Sequence, residues 1–314
     1  MLVFNAHMHL NGSIRPEFLK AIALRNNCLN YFEGFMAETD LWKKFGWVHK
    51  IIQTTEDIRL ATLDVVKHST ADVLEIRTTA KPLGNHSSQD YIAAFVAGLK
   101  EANQLYPNKR ARGLLSIDRT RHNLEEAKEV VNAALAAKQE HGMIVGIDLS
   151  GNFAAPRTLS GNDLYQAISY ALHKDIGVAL HIGEIDSDIE RQDVDFLLKA
   201  IEEYQQEKGG KLYGKVRLGH AIYRTPEQDA RIAALKIPVE ICPSCHEILD
   251  WWKKDQPHPI LTLYQKRSQV IAGTDDDLLF HCHAKGEQAK LDALFQGEDD
   301  TNKTSQKRLR YMFS

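Results

Sequence analysis

Two histidines one residue apart, His7 and His9, end the first apolar run of this 314-residue chain. Alternate side chains of a strand point to the same face, so both imidazoles would lie on one side and could bind a single metal ion. The chain has 14 histidines, however, and a second H-x-H pair, His281 and His283, shows that chance also produces such pairs. The spacing alone therefore leaves a metal site and a coincidence both open.

Polar side chains that follow later apolar runs extend this set. They are His181 and Glu184, then His220, then Asp275, Asp276 and Asp277. Three acids in one buried mouth would be costly without a cation, which favours a metal over a helix cap for the last three. Three imidazoles and one carboxylate suit zinc with an open position for water, and the predicted ligands are His7, His9, His181 and Asp275.

Two residues near this set are candidates for proton transfer. Glu184 lies three residues after His181, where a carboxylic acid beside a metal-bound water can shuttle protons. An exposed glutamate that favours a helix dipole is the alternative. His220 is either a base beside the metal or a core histidine with satisfied hydrogen bonds.

A competing zinc site would combine Cys242 and Cys245, spaced as C-x-x-C, with His246 and residues 281–283. We favour a packed strand end for these residues.

The elements that must position these side chains are short apolar runs that alternate with amphipathic stretches. The runs predict eight buried parallel strands, at residues 2–6, 73–76, 114–117, 143–147, 178–180, 215–218, 237–241 and 270–272. The amphipathic stretches predict helices, at residues 124–139, 164–174, 194–205 and 226–235. Eight β/α units predict an α/β fold, a (β/α)₈ TIM barrel, whose strand C-termini form the active-site face.

The longest stretch between strands, residues 12–70, predicts several helices. We expect it to form a helical lid insertion that covers the mouth of the barrel. Since no linker or repeat interrupts the chain, residues 1–314 are predicted to form a single domain.

Composition restricts the class of protein and its partners. A chain with 43% hydrophobic and 26% charged residues is neither disordered nor fibrous. The formal net charge of −3 provides no basic field, and no 18-residue apolar run occurs, so we expect neither nucleic acid nor membrane as a partner. The N-terminus lacks signal-peptide regions and the four cysteines make no disulfide framework, which together predict a cytoplasmic protein.

An ordered set of segments resembles the adenosine/AMP deaminase family of metal-dependent hydrolases. The segments are NAHMHLNGS, GIDLSGN, HIGE, RLGHA, EICPS and GTDDD, between residue 5 and about residue 280. Each is weak alone, but the set in this order is specific. Within the family, HLNGS, EIRTTAK, SIDR and DLSG are most similar to the N6-methyl-AMP deaminase branch.

The resemblance implies a (β/α)₈ barrel with one zinc ion per chain, held by His7, His9, His181 and Asp275. It implies that Glu184 protonates purine N1, that His220 orients and deprotonates the metal-bound water, and that Asp275 belongs to the catalytic group as well as to the ligands. The implied substrate contacts are His9 at the metal, Asp276 at N7 and the backbone of Gly151 at N3. Residues that match ribose and phosphate positions are Asn11, His49, Thr78, Thr79, Lys81 and Asp118.

The function expected from this resemblance is zinc-dependent hydrolytic deamination of a 6-amino or 6-alkylamino purine nucleotide to the inosine product. Deamination of the free nucleoside adenosine is the alternative. A catalytically silent barrel with a binding role is the alternative from a different class. The sequence leaves the choice of substrate, the physiological metal and the oligomeric state open.

Overall fold

Eight parallel strands, β1 to β8, lie side by side in the order of the chain. The computed structural model describes residues 2–209, 212, 214–266, 268–295 and 310–313. The strands are β1 Phe4–His9, β2 Val73–Thr78, β3 Arg110–Asp118, β4 Ile144–Ser150, β5 Gly177–Ile182, β6 Val216–His220, β7 Val239–Ile241 and β8 Val270–Ala272. The end of β8 returns to β1, where the amides of Thr274 and Asp275 both donate to the carbonyl of His7 at 2.9 Å. This closure confirms the predicted (β/α)₈ barrel.

Helices alternate with these strands and bury their apolar faces against them. The helices are α1 Pro16–Arg25, α2 Leu29–Ala37, α3 Leu41–Ile51, α4 Thr55–His68, α5 Ser88–Leu105, α6 Leu124–His141, α7 Gly161–His173, α8 Asp188–Lys208, α9 Pro226–Leu235, α10 Pro243–Ile248, α11 Leu261–Gln265 and α12 Ala284–Leu294. Helix starts are determined by nearby residues, as α9 shows. The side chain of Thr225 accepts from the amide of Gln228, and the side chain of Gln228 accepts from the amide of Thr225. Within the described residues, no helix is long and apolar enough to cross a bilayer.

Four of these helices, α1 to α4, fill the stretch between β1 and β2. They lie inside the predicted insertion at residues 12–70. The side chain of Asp40 accepts from the amides of Trp42 and Lys43 and so begins α3, the helix that reaches the mouth of the barrel.

A network of buried charges fills the lower part of the barrel. The side chains of Arg77 and Arg217 are fully buried, as are those of Asp148 and Glu240. Arg77 donates to Asp148 at 2.9 Å and also to Glu240, and Arg217 donates to Glu240 at 2.6 Å and to Glu75. Buried charges are tolerated only when paired and hydrogen-bonded, so each member of this network depends on the others.

The C-terminal segment 310–313 closes the floor of the barrel beneath this network. The ring of Phe313 lies 3.8 Å from the guanidinium carbon of Arg217, and its amide donates to Glu75 at 2.6 Å. The carbonyl of Tyr311 accepts from Arg217 at 2.9 Å. A Cβ atom at Gly177 would lie 2.4 Å from the Phe313 ring, so glycine is required there for this close approach.

We expect Arg217→Met to lower the free energy of unfolding by about 3–5 kcal/mol, because it leaves the carboxylates of Glu75 and Glu240 short of a buried partner. Denaturant unfolding at neutral pH measures the change. The control is Lys199→Met, which removes a cation from an exposed pair with Glu203 and should cost less than about 1 kcal/mol. Equal losses in the two variants would contradict an essential role for the network.

Candidate metal centre and active site

The four predicted metal ligands converge at the C-terminal ends of the strands. One group of ligand atoms, from His7, His181, His220 and Asp275, lies within 4.8 Å, and a second joins His9 to Asp148 and His181. Nε2 of His9 lies 3.2 Å from Nε2 of His181 and 3.4 Å from Oδ1 of Asp275. Residues far apart in sequence therefore form one cluster, as the barrel geometry requires.

The chemistry of this cluster fits a divalent metal. Nδ1 of His7 lies 2.9 Å from Oε2 of Glu240, so it donates there and turns its Nε2 lone pair towards the cluster. This Nε2 is buried and has no hydrogen-bond partner. Nδ1 of His181 lies 3.1 Å from Oδ1 of Asp148, which is an ion-pair distance. Burial lowers the pKa of His9 to about 3, which keeps it in the neutral form that binds metals.

The backbone at two of these positions is unusual. Asp275 and His220 have φ angles of 61° and 59°, in the left-handed region that L-residues rarely adopt. Such residues cost about 1–3 kcal/mol each and persist where the surrounding structure holds them. At Asp275 the amide and the carbonyl are both bonded to β1, with the carbonyl accepting from His9 at 2.7 Å.

Glu184 lies beside this cluster and is buried. Burial raises the pKa of its carboxyl group, although the guanidinium of Arg119, which donates to it, acts in the opposite direction. A carboxyl group that keeps its proton more readily is suited to act as a general acid. Arg119 is itself buried and also lies 3.9 Å from Glu190.

Asp276 is buried in the lining of the cavity and lies against Gly12. A Cβ atom at Gly12 would fall 1.7 Å from Oδ1 of Asp276, so only glycine admits the carboxyl group. Burial, followed by the charge of Asp275, raises the pKa of Asp276 well above its usual range. A neutral carboxyl group can donate a hydrogen bond, and Oδ1 of Asp276 is buried without a partner.

A cavity of about 310 Å³ opens over the cluster, a size within the range of small-molecule sites. It is lined by the predicted residues His9, Asn11, His49, Thr78, Thr79, Lys81, Asp118, Gly151, His181, Glu184, His220, Asp275 and Asp276. The predicted ligand His7 lies behind this lining. Aromatic rings from three segments form part of the wall, with the Phe153 ring 5.4 Å from that of Trp42 and 5.2 Å from that of Trp251.

Basic side chains lie at the part of the cavity that Asn11 and α3 line. Nδ2 of Asn11 is 3.2 Å from Nε2 of His49. Burial, followed by Lys81, lowers the pKa of His49 to about 3, so this imidazole is neutral. Burial and the neighbouring Arg121 lower the pKa of Lys81 to about 8, and Arg121 lies 3.3 Å from Asp118. Lys81 therefore remains largely cationic at neutral pH, and the guanidinium of Arg121 lies near it.

The alternative site of cysteines and histidines is not formed. Cys242 and Cys245 are buried, and burial raises the pKa of both thiols well above the usual value, which disfavours the thiolate that binds zinc. Neither cysteine belongs to a metal-ligand group within the part of the chain that the structure describes. His246 bonds instead to His220, at 3.0 Å.

Sequence reasoning missed several residues that hold this site. Glu240 and Arg77 are charged residues inside apolar strands, and that is the signal by which they could have been found, since such charges must be paired. Arg119 and Arg121 directly follow a strand end that was recognised only at Asp118. His246 was considered only for the competing cysteine site, and His258 lies in a segment where no periodic pattern marks it.

Comparisons with known proteins identify relatives of this chain. The sequence model described as adenosine deaminase matches residues 3–302. An adenosine deaminase-like protein of Drosophila pseudoobscura pseudoobscura is 27% identical over 87% of this chain and 79% of its own. The N6-mAMP deaminase of Arabidopsis thaliana is 27% identical over 90% of this chain and 84% of its own. The crystal structure of Arabidopsis ADAL complexed with IMP is similar over 94% of this chain and 86% of that one, at 25% identity and a TM-score of 0.78.

We expect His181→Ala to weaken metal binding by more than about 100-fold, because losing even an outer hydrogen-bond partner costs about 10–100-fold. Chelator competition and metal content of the purified protein measure this. The matched control is His283→Ala, which alters the second H-x-H pair; His283 caps α12 and holds no place in the cluster. Stoichiometric, tightly bound metal in His181→Ala would contradict the assigned ligand set.

Proposed function

This chain belongs to the adenosine deaminase family, and we propose that it hydrolyses the 6-amino or 6-alkylamino group of a purine nucleotide of the AMP or N6-methyl-AMP type. The observation that carries the proposal is the single cavity that joins a buried acid, Glu184, to the histidine and aspartate cluster and to the cationic side chains of Lys81 and Arg121. The relatives named N6-mAMP deaminase support this substrate class. The product IMP is the ligand in the Arabidopsis ADAL complex.

We further propose zinc as the metal, one ion per chain, held by His7, His9, His181 and Asp275. Ligand atoms of His7, His181 and Asp275 fall in one group, and His9 falls in a second group with His181. Zinc bound there would act as a Lewis acid that lowers the pKa of water to about 7. The four free cysteines are consistent with the cytoplasmic location that we propose.

Different residues of the chain then have different roles in the reaction. In the balanced reaction the water oxygen replaces the amine at C6, one water proton ends on N1 and the other leaves with the amine. Glu184 holds a proton at the carboxyl group that would face N1, so the ring can accept the electron pair as oxygen adds to C6. His220 orients the attacking oxygen, and Asp276 donates to N7 from its neutral carboxyl group.

The remaining predicted contacts place the rest of the nucleotide. The backbone of Gly151 would meet N3; its φ of 142° is a conformation that glycine readily adopts. Ribose and phosphate would be held by Asn11, His49, Thr78, Thr79, Lys81 and Asp118, with Arg121 added by the structure. Helices α1 to α4 would form the lid of a single domain, since Trp42, Phe45 and His49 of α3 line the cavity.

A catalytically silent barrel is the less favoured reading. Such a barrel would not need a buried acid beside the cluster, an unpartnered imidazole nitrogen on His7 and carboxylates next to the rings of both His7 and His181, all in one place.

We expect Glu184→Gln to lower kcat about 100-fold or more, the scale of lost general acid catalysis, with KM and metal content little changed. Steady-state kinetics on AMP and N6-methyl-AMP measure this. Asp186→Asn, an exposed carboxylate two residues away, is the control and should retain activity. A loss confined to KM would mean that Glu184 binds the substrate without transferring a proton.

We expect Lys81→Ala to weaken kcat/KM for AMP-type substrates by roughly 1–3 kcal/mol, the scale of a charged hydrogen bond, and to leave adenosine almost unaffected. Asn11→Asp should also shift preference away from nucleotides, because a carboxylate would repel phosphate. Lys199→Ala is the control for loss of a surface lysine. Equal losses for nucleoside and nucleotide would move the assignment to free adenosine.

The pH dependence gives a second readout of the same group. Because the pKa of Lys81 is lowered to about 8, its cation is present below that pH and is lost above it. The value of kcat/KM for AMP should therefore fall as pH rises through about 8, whereas the adenosine profile and the AMP profile of Lys81→Arg should lack this step. Identical profiles for AMP and adenosine would exclude Lys81 from phosphate binding.

A further inference from the structure

Three buried histidines form a hydrogen-bonded chain that runs away from the metal cluster. Nδ1 of His220 lies 3.0 Å from Nε2 of His246, and Nδ1 of His246 lies 3.0 Å from Nε2 of His258. At the far end, the amide of Ile260 donates to Nδ1 of His258 at 3.1 Å. None of the three imidazoles is more than 1% exposed. We call His220, His246 and His258 the histidine chain.

The amide of Ile260 determines which nitrogen is the donor in each hydrogen bond of the histidine chain. A backbone amide can only donate, so Nδ1 of His258 carries no proton and its Nε2 must carry it. Nε2–H of His258 then donates to Nδ1 of His246. By the same step, Nε2–H of His246 donates to Nδ1 of His220, whose own proton is left on Nε2.

These proton positions require all three imidazole rings to be neutral, and the surroundings of the rings favour the neutral form. Burial lowers the pKa of His258 to about 3, with Arg224 acting in the same direction. Burial and the neighbouring His258 lower the pKa of His246 well below its usual value. His246 lies in the short helix α10, and the amides of Trp251 and Trp252 donate to its carbonyl at 2.8 and 3.0 Å, which holds this segment in place.

We propose that His246 and His258 are positioning residues that hold His220 in the Nε2–H tautomer, so that His220 faces the active site as a hydrogen-bond donor. Its Nε2 lies 3.7 Å from Oδ2 of Asp275, on the side where the attacking oxygen would lie. The tautomer stands on the contacts of the histidine chain, and its consequence for catalysis rests on the proposed function.

The tautomer has two consequences for the site. A nitrogen that carries a proton cannot bind a metal, so His220 is excluded from the ligands although it lies among them, and His9 completes the set. For the same reason, Nε2 of a neutral His220 has no free lone pair facing the cavity. His220 therefore orients the oxygen by donating to it, and the deprotonation that the family resemblance assigned to this histidine needs another acceptor.

Nitrogen NMR of the full-length, zinc-loaded protein labelled with ¹⁵N-histidine tests the tautomer directly. Couplings between ring protons and nitrogens distinguish Nε2–H from Nδ1–H, and signals are assigned by their loss in His246→Gln and His258→Gln. We expect Nε2–H at all three histidines. An Nδ1–H or a doubly protonated ring at His220 or His246 overturns the proposal. This result is independent of whether the protein deaminates purines.

A pair of substitutions tests the effect on the reaction. The amide of glutamine can take the place of Nε2–H, so His246→Gln should keep a single His220 tautomer and a kcat within about twofold of the parent. His246→Leu removes the donor and should give mixed His220 tautomers, with kcat lower by about two- to tenfold, the range for one hydrogen bond, at unchanged KM. Equal losses in both variants would mean that His246 only fills space. An unchanged tautomer and kcat in His246→Leu would also overturn the proposal.

Discussion

The metal centre depends on one buried cation, Arg77, which lies below it. Its guanidinium bonds to both Asp148 and Glu240, the carboxylates that lie next to the proposed ligands His181 and His7. Burial alone would raise the pKa of Glu240, yet Arg77 and Arg217 hold it well below the usual range. The carboxylates thus stay charged, and they lie 2.9 Å from His7 and 3.1 Å from His181, which favours the orientation in which the other nitrogen of each ring faces the proposed metal site. A lysine has a point charge and could not bridge both carboxylates with the same planar fork.

The parts of this protein that could be predicted from sequence are those with local signals. Each strand is an apolar run, and in a barrel the C-termini of all strands meet on one face, so candidate ligands could be proposed without knowing any distance. The seventh strand was predicted from residue 237 but begins at Val239, because Pro238 has no amide to donate to the sheet. The tautomer of His220 could not be predicted, since it depends on the rotamers of His246, in the six-residue helix α10, and of His258, in the segment that follows it.

The two ends of the cavity differ in how far their charges are compensated by neighbouring charges of opposite sign. At the metal end, protein carboxylates and arginines compensate one another within the core, and Glu184 and Asp276 tend to keep their protons. At the outer end, Lys81 and Arg121 line the same part of the cavity, and Arg121 pairs with Asp118 at 3.3 Å. An anionic group is therefore favoured only at the outer end. A purine with a 5′ phosphate has this same polarity, with a neutral base at one end and an anion at the other.

In this site, one kind of interaction sets where the imidazole rings lie, and another sets which nitrogen of each ring carries the proton. Coulomb forces in the barrel floor fix where His7 and His181 lie, but charge carries no information about which nitrogen of a ring holds a proton. Hydrogen bonds supply that information, because each donor demands an acceptor. In the histidine chain the direction originates at the amide of Ile260, a backbone group that every residue except proline provides. The protonation of His220 is therefore set by the path of the backbone near residue 260, and the identity of that side chain does not enter.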